Sequence, residues 1–417
     1  MAELAATASA VERGPDGRTS WNRLLVAVAL TTFGGVGMWS VVVALPTVQA
    51  EFGVARGGAS LPYTLTMIGF GLGGVAMGRL TDRFGIVVPS LAGCALLALG
   101  YVTAGSAPTL TAYALAHGLL IGVGASASFA PLMSDISMWF VRRRGIAVAI
   151  CASGNYVAGA FWPPVVQWAI ATYGWRATHV ALGAVCALFM PLLILALRKR
   201  PDFSSGATAA AQSSFVPARL ALSPGALQTL LIVAGLACCV AMSMPQVHIV
   251  AYCGDLGYGV ARGAEMLSLM LGFGIVSRIA SGFVADRIGG LLTLLAGSVL
   301  QGLALFLYTL SDGLTQLYVV SALFGLFQGG IVPSYAIIVR EYFPPAEAGT
   351  RVALCITATL FGMALGGWMS GVVFDLTGSY RAAFLNGIAW NLVNGAIVLF
   401  LLTRRGGGLG RVQVAAA

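Results

Sequence analysis

Long apolar runs separated by short clusters of Gly, Pro, Asp and Arg dominate this chain. Twelve runs can be marked, near residues 22–48, 58–79, 86–107, 109–137, 145–172, 177–197, 226–252, 261–284, 290–310, 313–339, 347–375 and 380–403. Each is long enough for a helix to cross a hydrocarbon core about 30 Å thick. The pattern predicts an all-α membrane protein with twelve transmembrane helices. The first run, Leu24–Leu45, follows a polar stretch without an apolar h-region and precedes no small-residue cleavage site, so it reads as an uncleaved first helix. The longest connection, Arg198–Pro224, is rich in Ser, Ala and Pro and suits a linker between two halves. The expected organisation is a polar tail over 1–21, a six-helix bundle over 22–198, a linker over 199–225, a second six-helix bundle over 226–404 and a tail over 405–417.

Composition agrees with that pattern. Of 417 residues, 58% are hydrophobic and only 9% charged, against about 25% charge in a soluble domain. A net charge of +9 invites a nucleic-acid reading, but the basic residues sit in short loops between apolar runs. Eighteen fall on the face that carries both termini and four on the other, Arg56, Arg176, Arg262 and Arg381. Positive charge concentrates on the cytoplasmic side, which places both termini and the linker there, in an inner-membrane type of protein. The seven cysteines lie in or beside apolar runs without a metal-ligand or redox spacing, so they read as small buried hydrophobes, and neither metal nor cofactor is expected.

The halves repeat each other. Gly78-Arg-Leu-Thr-Asp82-Arg83-Phe-Gly85 matches Gly282-Phe-Val-Ala-Asp286-Arg287-Ile-Gly289 at an offset of 204. Trp139-Phe140 matches Tyr342-Phe343, and Tyr173-Gly-Trp-Arg176 matches Gly378-Ser-Tyr-Arg381 at an offset of 205. Parallel repeats of six helices place a substrate site at the interface between the halves.

One charge lies inside a run. Arg278 precedes Asp286 by eight residues, which on a helix sets it ~12 Å inside the segment, near the membrane centre. A charge there costs about 2.5–3.5 kcal/mol and calls for a partner or a water-filled cavity. No acidic residue lies within a turn of it. Its planar donor fork suits bidentate capture of a carboxylate. One cation balances one negative charge well and two poorly, so a short-chain or hydroxy monocarboxylate fits best.

Other polar groups fall within apolar runs. His248 follows Pro245, which is expected to bend span seven. It could bind substrate or receive a coupling proton, or it could be a satisfied histidine near the membrane interface. Tyr252 lies one turn further on. His117 is a weaker candidate, and His179, beside an outer loop, reads as solvated. Asn155 and Tyr156 in span five, and Gln328 and Tyr335 in span ten, must be hydrogen-bonded or face water. They are candidates for cavity lining, with interhelical bonding the alternative. The small-residue stripes Gly362-x-x-x-Gly366-x-x-x-Ser370 and Gly367-x-x-x-Gly371 suit close helix packing.

Twelve spans in two parallel halves, with Gly-x-x-x-Asp-Arg-x-Gly after the second and eighth, resemble the major facilitator superfamily. Within it, Trp139-Phe-Val-Arg-Arg-Arg-Gly-Ile-Ala147 and Arg278-Ile-Ala-Ser-Gly282-Phe-Val-Ala-Asp286 are similar to monocarboxylate transporters and the oxalate/formate exchangers. The resemblance implies that Arg278 contacts a substrate carboxylate. It also implies that Asp82, Arg83, Asp286 and Arg287 form gate contacts between the halves, with Asp135 and Arg142–Arg144 completing that network. Gly274 stands where animal monocarboxylate transporters have an aspartate, and span eleven lacks the exchangers' lysine. The reading is a secondary transporter of small organic carboxylates, working as a monomeric unit in the lipid bilayer by alternating access, with proton-coupled monocarboxylate symport first and carboxylate exchange second. A transport-dead sensor is the alternative of another class, against which the short tails speak. An enzyme would need a convergent acid, base or nucleophile set that the spans do not supply. Drug efflux would set Arg278 against the lipophilic cations typical of that class.

Overall fold

The computed structural model describes residues 16–198, 220 and 222–404. The expected tails over 1–15 and 405–417 and most of the linker, 199–219 and 221, lie outside the described residues. The helices are α1 (Arg18–Phe52), α2 (Arg56–Phe84), α3 (Val87–Gly105), α4 (Leu110–Trp139), α7 (Pro224–Asp255), α8 (Val260–Ile288), α9 (Gly290–Leu310), α10 (Leu314–Tyr342), α11 (Pro345–Thr377) and α12 (Tyr380–Thr403). Between α4 and α7 runs a 53-residue helix, Arg144–Ala196, broken at Gly174, where φ is 79°. Its limbs, α5 (144–173) and α6 (175–196), run antiparallel, since Phe33 touches both Trp162 and Phe189. Among the described residues, eleven helices are long and apolar enough to cross a membrane. Read as two limbs, the broken one brings the number to twelve.

Local chemistry sets the ends. Ser223 caps α7 by accepting from Ala226 N–H at 3.2 Å, with Pro224 in the first turn where its missing N–H costs nothing. Thr109 caps α4 in the same way. The last glycines of the matched motifs, Gly85 and Gly289, take φ of 78° and 83° and close α2 and α8 through identical 2.8 Å bonds to Thr81 and Ala285 carbonyls. Two further pairs of positive-φ glycines, Gly53 with Gly257 and Gly174 with Gly378, share the offset of 204. The repeat seen in the sequence is thus a repeat of turns in the backbone.

Inside each half the helices meet through backbone contact at small residues. A methyl group at Gly69 of α2 would lie 1.9 Å from the Gly118 carbonyl of α4, where residues Ala116–Gly122 form a π-helix. Gly325 of α10 meets the Met270 carbonyl of α8 as closely. Large apolar side chains such as Leu119, Trp168, Phe283 and Leu392 are more than 60% exposed, as expected for surfaces against lipid tails.

Most contact between the halves runs along two seams, α2 against α11 and α5 against α8, with α1 also meeting α7, and the internal repeat exchanges one seam for the other. The small-residue stripes of α11 divide the work. Gly362 and Gly366 face Leu236, Cys239 and Val240 of α7 in the same half, whereas Gly367 and Gly371 face Tyr63, Arg56 and Gly57 of α2 in the other.

Candidate functional site

Arg278 lies on the α5–α8 seam. Its Nη1 donates to the Ala152 carbonyl of α5 at 3.0 Å, and its guanidinium carbon sits 4.5 Å from the centre of the Tyr156 ring. Both partners belong to the opposite half. Among the described residues its buried Nε has no partner and no carboxylate pairs with it. A cation over an aromatic face gains about 0.5–2 kcal/mol, depending on desolvation. Tyr156 reaches this position because Gly274, one turn before Arg278, has no side chain. A methyl group there would lie 2.4 Å from Tyr156 Cε1. At the same level α10 breaks at Gly329–Gly330, and its backbone comes against the Gly274 carbonyl and the Arg278 amide.

Asn155, next to Tyr156, is half-buried beside Gly35, and its carbonyl accepts from Trp39 Nε1 at 3.3 Å. Gln328 is fully buried just before the α10 break. It accepts from Gln246 Nε2 at 2.7 Å and keeps its own Nε2 unpaired. Arg278, Tyr156, Asn155 and Gln328 are thus the sequence candidates gathered at the seam or on the helix behind it. Gln246 joins them, and the run Pro245-Gln246 beside His248 was its available signal.

The remaining candidates lie elsewhere. Tyr335 is buried within the second half, where its hydroxyl accepts from Asn394, which also donates to the Ala234 carbonyl. That is interhelical bonding between α7, α10 and α12. His117 is buried within the first half on the π-helix, 3.4 Å from the Thr66 hydroxyl. That hydroxyl already donates to Pro62 at 2.7 Å, so Nδ1 of His117 is the donor and Nε2 is left with a free lone pair. His179 is fully buried and not solvated. Its Nδ1 donates to the Trp175 carbonyl at 2.7 Å, so its Nε2 accepts from the Tyr113 hydroxyl. A polar pocket inside the bundle satisfies both nitrogens, which loop proximity in the sequence could not reveal. Tyr252 packs against the Tyr380 ring at a tilt and the Phe384 ring edge-to-face, and points its hydroxyl at Ser311 and Asp312, near the end of the molecule away from the termini.

His248 is buried at the α7–α11 contact, where Nε2 donates to the Gly367 carbonyl at 2.8 Å. Nδ1 therefore carries a lone pair, and it has no partner among the described residues. Gly367 also meets Tyr63 of α2, so His248 lies beside the seam between the halves but toward the end away from the termini.

That end is closed by a latch the sequence reading missed. Arg56, 6% exposed, donates to Asp255 of α7 at 2.8 Å and to the Tyr380 hydroxyl of α12 at 2.7 Å. The amides of Arg56 and Gly57, at the start of α2, both donate to the Asp375 carboxylate of α11. All four arginines of this face are ion-paired, Arg176 with Glu51, Arg262 with Glu265 and Arg381 with Asp312 besides Arg56. The available signal was the set of acids placed at helix ends away from the termini.

At the end carrying the termini, Gly74, Gly78, Gly145, Gly282 and Gly349 have no atom of the described residues within 4 Å of where a side chain would begin. Asp82, Arg83, Asp286 and Arg287 are exposed and make no ion pair among the described residues. Asp135 does not reach across the halves here. It forms a bidentate pair at 2.7 and 2.8 Å with Arg23 of α1, which stacks on Trp139. Arg142 and Arg143 offer their amides to Asp16.

Comparison with known proteins gives a consistent picture. A family model described as the Major Facilitator Superfamily matches residues 27–311 and 279–413. Monocarboxylate transporter 13 of Bos taurus is 29% identical over 333 residues, covering 77% of this chain and 75% of that protein. Monocarboxylate transporter 11 of Mus musculus is 29% identical over 392 residues, covering 89% and 85%. Among solved structures, a bacterial homologue of the human lysosomal transporter Spinster, in an inward-facing and occupied conformation, superposes with a TM-score of 0.71. It covers 91% of this chain and 96% of that one at 14% identity, a likeness of fold alone.

Proposed function

The chain belongs to the major facilitator superfamily and is a transporter, and from that premise we propose that it carries small monocarboxylates together with a proton by alternating access. One observation supports this above the rest. Arg278 sits on the seam between the halves with an unpaired Nε and no carboxylate partner among the described residues. A permanent cation there is best matched by a substrate anion, and its fork holds one carboxylate.

On this reading the termini and the Asp-Arg motifs face the cytoplasm. The described state is then open inward, with the Arg56 latch shut on the outer side. The opposite state needs the latch broken and the motif residues Asp82, Arg83, Asp286 and Arg287 engaged across the halves. The free lone pair of His248 Nδ1 is the proton acceptor we assign, since His248 lies beside the seam that must open. Arg56 from α2, Asp375 from α11, Tyr380 from α12 and Tyr252 and Asp255 on its own helix are the charged or titratable groups around it.

The test is uptake of labelled short-chain and 2-hydroxy monocarboxylates into liposomes carrying the purified protein. An inward proton gradient should accelerate uptake. Uptake that ignores the gradient and needs anions preloaded inside would replace symport with exchange. Absence of saturable uptake for every carboxylate would remove the substrate class.

A further inference from the structure

Arg278 is held by groups that can stand in for an anion. Its Nη1 rests on the Ala152 carbonyl, and its charge lies over the Tyr156 ring. Tyr156 is only 8% exposed and is fixed by the space that Gly274 leaves. All of this spans the two halves, from α8 to α5. We infer that Tyr156, seated in the gap at Gly274, is the counter-group that lets the empty transporter change state, so that the protein performs net transport and not obligatory exchange. This deepens the proposal that Arg278 binds the substrate carboxylate and rests on it.

The argument concerns the return step. To change state, a transporter of this kind must close around its central site, and closing drives water out. A substrate carboxylate neutralises Arg278 on the loaded journey. On the empty journey a bare guanidinium would have to lose its water with nothing in return, which is costly in an apolar surround. An exchanger tolerates that cost, because it never returns empty. Here the ring face and the carbonyl offer a partial negative surface at the right place, and they do so from the facing half. The internal repeat shows that the arrangement is specific to this seam. The position matching Arg278 at the offset of 204 is Gly74, which faces open space, and the position matching Tyr156 is Leu360.

Substrate and Tyr156 therefore alternate as partners of one guanidinium. The ring needs the gap. Any side chain at 274 pushes it off the cation, because the first carbon alone would overlap Cε1 and Cδ1 at 2.4 and 2.6 Å.

The experiment compares two rates in proteoliposomes with labelled lactate as the probe. Net uptake starts with empty vesicles, and exchange starts with vesicles preloaded with unlabelled lactate. Their ratio is the readout. Tyr156→Leu should raise the exchange-to-net ratio by roughly tenfold, in line with the loss of a desolvated cation–π contact. Gly274→Ala should move the ratio in the same direction, whereas Tyr156→Phe, which keeps the ring face, should hold it near the wild-type value. Equal losses of both rates in Tyr156→Leu, or a Tyr156→Phe ratio as high as that of Tyr156→Leu, would overturn the inference. A wild-type protein that moves lactate in neither mode, nor any other monocarboxylate, overturns instead the substrate reading beneath it.

Discussion

Arg56 and Asp375 meet at the end of the molecule away from the termini, where the Arg56 amide donates to the Asp375 carboxylate at 2.8 Å across the two halves. The same carboxylate takes the Gly57 amide at 2.7 Å, so it sits on the N-terminus of α2, where unsatisfied amides and the helix dipole favour an anion. The Arg56 side chain then turns to Asp255 and Tyr380. One residue ties α2 to α7, α11 and α12. Removing its charge should release this end. We expect Arg56→Gln to raise labelling of a cysteine placed at Thr64, on the same seam, by a reagent that cannot cross the membrane. An increase of roughly tenfold corresponds to about 1.4 kcal/mol taken from the closed state. Unchanged labelling would mean that the latch does not hold the seam.

Arg278 should be needed for substrate affinity and not for assembly. Lysine keeps the charge but loses the planar fork and its stacking on Tyr156. Arg278→Lys should therefore express normally and bind a monocarboxylate about 10- to 100-fold more weakly, the range given by losing one charge-assisted hydrogen bond. Titration of purified protein with lactate measures it. Wild-type affinity in this variant would end the assignment.

Much of the fold could be read from the chain, because membrane crossing demands long apolar runs and the repeat is written in Gly, Asp and Arg. The limits of α2, α8 and α12 fall within a few residues of the apolar runs. The site was legible only where a residue was out of place, as Arg278 is. Tyr335, a candidate for cavity lining, and His117, a weaker one, are both buried in bundle interiors with polar neighbours. A polar residue in an apolar run must find a partner, but the run does not say whether that partner is a helix or a substrate. Arg56 was overlooked for the opposite reason. In a loop-proximal position an arginine looks like topology, and only the fold brings Asp255 and Asp375 to it. Gly274 shows the limit most sharply, since its function lies in the space it leaves for a residue more than a hundred positions away.

The Arg23–Asp135 pair should govern stability more than gating. Both side chains are 5% exposed, and the pair is bidentate within one half. Breaking a buried pair by removing one partner strands the other charge and costs about 3–5 kcal/mol. Asp135→Asn should lower thermal stability strongly, and the double variant Arg23→Met with Asp135→Leu should recover much of the loss. Normal stability with altered accessibility of the two ends would return Asp135 to the gate.

Asp16 gives a pH dependence with a definite sign. It accepts from the amides of Val141, Arg142 and Arg143 at 3.0–3.1 Å. Partial burial works to raise its pKa, but the three donors and the nearby Arg142 charge outweigh it and hold the carboxyl below its ordinary 3.8. A depressed folded-state value means that the stabilisation is fully present above the unfolded value and is lost as pH falls through the folded one. Asp16→Asn should be less stable than wild type at neutral pH, with a gap that is flat down to about pH 5 and narrows below about pH 4. Thermal melts across that range check it, and a gap that widens in acid would contradict the assignment.

The motif residues supply the last test. Asp286 is exposed and makes no ion pair among the described residues, and Gly282 one turn earlier has none of their atoms within 4 Å of where a side chain would begin. A carboxylate without an ionic partner here is free to take one in another conformation. If it closes this end by meeting a helix N-terminus of the other half, its charge is worth about 0.3–1 kcal/mol to that conformation, or roughly two- to fivefold in population. Asp286→Asn should then leave the melting temperature of the described state unchanged and slow transport. A cysteine placed at Gly78, on the matching helix, should react faster with a reagent applied from the terminal side. The Arg56→Gln variant should show the reverse bias, and combining the two should bring both accessibilities back toward wild type, because each removes a restraint from a different state. A double variant that stays as biased as either parent would mean that the two ends do not share one equilibrium.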